Sequence, residues 1–91
     1  MKTPKNALKK YRDSIDRVDA GIVRLLNERA RNVLAIKRIK DEGAHSFYAP
    51  HREMEVYRRV AKLNHGPFPT ETLTTIFCEI MSRRLSSPAL A

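Results

Sequence analysis

Ninety-one residues, 42% of them hydrophobic and only three of them glycine, favour one small helical domain over a disordered or β-rich chain. A net charge of +8 and a pI near 10.2 imply an anionic partner, and a single cysteine, Cys78, rules out an internal disulfide. No apolar run reaches the length of about 18 residues that a membrane span needs, and the N-terminal lysines precede no signal-type apolar core, so the expected compartment is the cytoplasm, with no membrane partner.

The first element runs from about Lys5 to Glu42, where hydrophobicity has a helical period, proline is absent, and Gly43 gives a stop signal. At 1.5 Å per residue, roughly 35 residues span about 52 Å, against a radius of gyration of about 12 Å expected for a domain of this size. The ends of so long a helix need cover from outside the monomer's own core. Small domains are also hard to stabilise alone, so oligomerisation is expected.

Leu8, Ile15, Ile22 and Ile36 form one row of this helix, and Tyr11, Val18, Leu25 and Ile39 form its companion. Arg29 and Asn32 interrupt both rows at one level. A guanidinium in an apolar seam serves either to hold an anion or to pair with a carboxylate of a neighbouring helix. Lys40 falls within about 20° of the face of Arg29 and roughly 16 Å along the axis, so two long side chains can lean toward a site between them. Arg12 lies about 25 Å from Arg29 and about 100° round the helix, out of reach in its own chain. Antiparallel pairing of two long helices would bring Arg12 of one chain to the Arg29 pocket of the other and cover the bare helix ends.

A second helix is expected from Pro50, which suits a first turn, to Leu63, with Met54, Val56, Tyr57, Val60, Ala61 and Leu63 as its apolar side. Arg52 and Glu53 fall in its first turn, where free N–H groups favour an anion. Asn64, His65, Gly66, Pro67 and Pro69 read as a turn, with Thr70 as N-cap of a third helix running to about residue 87. Its inward stripe is Leu73, Ile76, Phe77, Ile80, Met81, Arg84 and Leu85, and Pro88 stops it. Arg29, Lys40 and Arg84 on or beside apolar faces suggest a pocket rather than a flat phosphate-binding surface. Nucleic acid is not the expected partner, because no recognised binding motif accompanies the charge.

Several runs now become recognisable: Tyr11 to Asp19, Leu25 to Arg29, Lys40 before a short loop, Arg52-Glu53, and Ile76 to Ser82. Together, in order and with similar spacing, they closely resemble the all-helical (AroQ-type) chorismate mutases over nearly the whole chain. The resemblance implies an all-α fold of three helices in an intertwined antiparallel homodimer, with residues 1–91 as one domain. The implied reaction rearranges chorismate, a small dianion, to prephenate on the way to phenylalanine and tyrosine, without cofactor or metal. On that resemblance Arg29 and Arg52, with Arg12 from the partner, bind the two carboxylates. Lys40 bonds a carboxylate and the ether oxygen, and Glu53 receives the ring hydroxyl.

Three positions depart from the family pattern: Ala49 replaces an acidic residue, Arg84 a small polar one, and Pro88 a glutamine or glutamate that donates to the ether oxygen. Loss of such a donor costs on the order of 100- to 1,000-fold in rate. Arg84 either compensates from the inward face or pairs with a carboxylate such as Glu53. Two further readings share the fold: isochorismate-pyruvate lyase chemistry, and a regulatory or binding domain with weak catalysis. His45, His51 and His65 show no metal-ligand spacing.

Overall fold

In a computed structural model of the chain, residues 5–42, 50–83 and 85 are described, with the backbone alone for Lys5, Asp41, Glu42 and Pro50. Every regular element among them is an α-helix: α1 is Lys5–Glu42, α2 is Pro50–Leu63 and α3 is Thr70–Ser82. The chain divides into two compact units, residues 1–36 and residues 37–91.

In the first unit all the described residues belong to α1. The predicted stripe is present but uncovered: Ile22 keeps 49% of its surface, Leu25 55% and Val18 61%. Elsewhere on the helix, charged side chains pair one turn apart, Lys9 with Asp13 at 2.9 Å and Arg24 with Glu28 at 3.9 Å. Exposed pairs of this kind add only about 0.3–0.5 kcal/mol each, so they do not replace a core.

The second unit holds the end of α1 with α2 and α3, and α2 packs on α3. Val56 and Val60, each 8% exposed, are its buried centre, with Tyr57 half-buried beside them. These three positions make a narrower seam than the sequence predicts, because Met54 and Leu63 on the flanks remain 50% and 67% exposed. From α3, Leu73, Phe77, Ile80 and Met81 are half-buried, whereas Ile76 is exposed.

Asn64 organises the α2–α3 turn. Its backbone N–H donates to the Val60 carbonyl at 3.0 Å, and its side-chain oxygen accepts the Gly66 N–H at 2.9 Å. Its amide nitrogen donates to the Phe68 carbonyl at 2.8 Å and to Thr70 Oγ1 at 3.0 Å. Gly66 takes φ 76°, a left-handed conformation that a side chain would strain.

Two sequence expectations need correction here. Thr70 is not the N-cap: Pro69 holds that place in extended conformation without a side-chain cap, and its carbonyl accepts the N–H groups of Thr72 and Leu73 at 3.1 and 3.3 Å. The Thr70 hydroxyl is instead engaged by Asn64, which ties the start of α3 to the preceding turn. Nor does α3 continue to residue 87: it ends at Ser82, with Arg83 extended at ψ 135°. Arg83, Arg84 and Leu85 are good helix formers, so local propensity does not explain the end at Ser82. Arg83 reaches back to the Glu79 carboxylate one turn earlier.

Candidate active site

Arg12 and Arg29 lie on α1 in the unit of residues 1–36, and Lys40, Arg52 and Glu53 lie in the unit of residues 37–91. Arg12 is exposed and Arg29 half-buried, as its place in the apolar seam requires. No ion pair among the described residues involves Arg29, and neighbouring Glu28 pairs with Arg24 instead. Asn32, the other interruption of the seam, donates to the Glu28 carbonyl at 3.0 Å. It is thus satisfied by its own helix, while the guanidinium beside it has only a half-covered apolar setting.

Lys40 is half-buried in the last turn of α1. A cation there also complements the negative end of the helix by about 0.3–1 kcal/mol, so its position has a structural benefit besides any role with substrate. Arg52 is the opposite case. It sits in the first turn of α2, where the positive dipole end disfavours a cation, while Glu53 beside it is favoured. A cation there gains nothing from the dipole, so helix stability does not account for it. Both side chains are exposed, and among the described residues neither forms an ion pair. Arg84, Ala49 and Pro88 lie outside the described residues.

A shallow groove elsewhere on α1 is lined by Asn6, Lys9, Lys10, Asp13, Ser14 and Arg17 and contains none of these candidates. Lys9 there is held by Asp13, and Arg17 donates to Ser14 Oγ at 3.1 Å. Among the described residues no three His, Cys, Asp or Glu side chains gather as metal ligands.

The sequence reading missed one polar neighbour. Tyr57, assigned to the apolar side of α2, lies near enough to Cys78 of α3 to be influenced by its thiol. Cys78 first, then burial, then the charge of Glu53 raise the phenol above its ordinary pKa. The available signal was the residue type, since a tyrosine at a packing position brings a hydroxyl that needs a partner.

Among the described residues the fold is all-α, with the half-buried cations Arg29 and Lys40 on α1. The family described as chorismate mutase type II matches residues 11–86. The bifunctional chorismate mutase/prephenate dehydratase of Neisseria gonorrhoeae is 47% identical over 76 residues, covering 84% of this chain and 20% of the relative. That of Aquifex aeolicus is 42% identical over 83 residues, covering 87% of this chain and 23% of the relative. The chain thus spans about a fifth of the length of the curated relatives it matches. The chorismate mutase of Thermus thermophilus superposes with a TM-score of 0.80 at 40% identity, covering 82% of this chain and 85% of that one in one form, and 94% of that one in another. This chain belongs to the chorismate mutase type II family.

Proposed function

We propose that this chain rearranges chorismate to prephenate in aromatic amino acid biosynthesis, acting in the cytoplasm as one domain of residues 1–91 completed by a second copy. In this reaction the ether C–O bond breaks as a C–C bond forms within one molecule, with no proton transfer and no nucleophile. A protein accelerates it by holding the folded reactive conformer and stabilising negative charge on the departing ether oxygen. Arg29 and Arg52, with Arg12 of the second copy, hold the carboxylates, because a planar guanidinium fork matches a carboxylate in two hydrogen bonds. Lys40 follows the ether oxygen as a point charge, and Glu53 accepts the ring hydroxyl.

The observation that carries this reading is Arg29: a half-buried guanidinium in the α1 seam, without an ion pair among the described residues, in a chain of this family. A dimer is supported by the uncovered stripe around it, too apolar to be a solvated face. Arg84 and Pro88 favour no second substrate by themselves. They do make Lys40 the principal donor to the ether oxygen.

The test is loss of chorismate by ultraviolet absorbance with identification of the product, for the natural chain, Arg29→Ala and Lys40→Ala. Prephenate formation by the natural chain, reduced at least about 100-fold by either change, is expected. A folded dimer that binds chorismate without turnover would leave a binding domain, and pyruvate release from isochorismate would point to lyase chemistry.

A further inference from the structure

Across the two apolar rows of α1, Arg29 is the one cation, and Tyr11 is the one aromatic side chain of the whole helix. Tyr11 keeps 65% of its surface, whereas Arg29 is half-buried and forms no ion pair among the described residues. When two helices with seven-residue rows run antiparallel about a two-fold axis, the row that begins at Leu8 faces the row that begins at Tyr11. Alternative registers then differ by one heptad, about 10 Å of sliding. A single one of them brings Arg12 of a second copy beside Arg29. That register faces Ile15 with Leu25 and Val18 with Ile22, covering four side chains that are 49–61% exposed in the single chain. It also sets Tyr11 of the second copy opposite Arg29. One heptad either way, Arg29 would meet Val18 or run past the Lys5 start of α1, and Tyr11 would meet Ile36 or Ile22. The register that assembles the carboxylate site is therefore the one that brings the helix's aromatic face to the rows' lone cation.

We propose that Tyr11 is a positioning residue for Arg29 of the other copy: its ring lies against one face of the guanidinium, leaving the N–H edge free for the substrate carboxylate. An aromatic face suits this task because it attracts a cation without taking up its hydrogen-bond donors, which a carboxylate at the same place would occupy. The inference rests on the reading of the chain as a dimer whose site takes Arg29 from one copy and Arg12 from the other. Tyr11, next to Arg12, belongs to the same second copy and acts on substrate through Arg29 alone.

The test is steady-state chorismate kinetics on the full chain, at concentrations where sedimentation shows dimers. Tyr11→Leu keeps apolar bulk in the seam but removes the ring face, so kcat/KM should fall roughly 3- to 10-fold, mostly through KM. Tyr11→Phe keeps the face and should stay within about 2-fold of the natural chain. Mixed dimers of Tyr11→Leu with Arg29→Ala, isolated through different tags, tell which copy the ring serves. Their one competent site combines Arg29 of the Tyr11→Leu chain with Tyr11 and Arg12 of the other, so its kcat/KM should return to that of a natural site. Natural kcat/KM in Tyr11→Leu dimers, an equal loss in Tyr11→Phe, or mixed dimers as impaired per site as Tyr11→Leu overturns the role of Tyr11 while the mutase reading stands. Tyr11→Leu chains that stay monomeric at every concentration overturn it too, giving Tyr11 a part in assembly alone. A natural chain that is monomeric or converts no chorismate overturns both readings.

Discussion

The two units solve the problem of a small chain in different ways. In residues 37–91, α2 and α3 bury Val56 and Val60 between them, and the turn joining them is fixed by four hydrogen bonds involving Asn64. In residues 1–36 the described chain is one helix whose apolar row, Leu8 to Ile22, is exposed. An isolated helix is marginal in water even with good helix formers, because its stability comes from packing an amphipathic face. The contrast teaches that residues 37–91 are stabilised by their own contacts, whereas the helix of residues 1–36, which carries Arg12 and Arg29, leaves its apolar row without such contacts among the described residues and, on the proposed dimer, takes its cover from a second copy.

Ile22→Asp would break the contrast most severely. On a surface that stays solvated such a change is worth within about 0.5 kcal/mol. If a second copy covers the stripe, it should cost roughly 2–4 kcal/mol per chain and abolish the dimer in sedimentation, with loss of turnover. Val60→Ala probes the self-sufficient region. It should destabilise by about 1.5–3 kcal/mol in denaturant titration without a change in oligomeric state at high concentration. Asn64→Ala sharpens the same side with a smaller effect, about 1–2 kcal/mol, since it removes side-chain bonds to Gly66, Phe68 and Thr70 but no apolar packing.

The helix starts and the ends of α1 and α2 were legible because local signals agree there: periodic hydrophobicity without proline in α1, Pro50 in the first turn of α2, Gly43 and Asn64 beyond the ends. The end of α3 was not, because the apolar stripe reads on past Arg83, where the chain leaves the helix, and Arg83, Arg84 and Leu85 carry no local stop signal. Thr70 misled for a related reason. Its hydroxyl has the right chemistry for a cap, but Asn64, six residues earlier, takes it. Arg29 stood out in the sequence because a charge in an apolar row is conspicuous. The influence of Cys78 on Tyr57 was hidden, since the two lie on different helices and neither is unusual on its own.

The most direct test of the account is complementation between two damaged chains, Arg12→Ala and Arg29→Ala, each unable to convert chorismate alone. If a site takes Arg29 from one copy and Arg12 from the other, unfolding and refolding the two together at equal concentration makes mixed dimers with one intact site. Turnover should then recover to about a quarter of that of the natural chain. Mixed dimers that form, as shown by a mass tag on one chain, yet stay as inactive as either parent would contradict a site shared between copies.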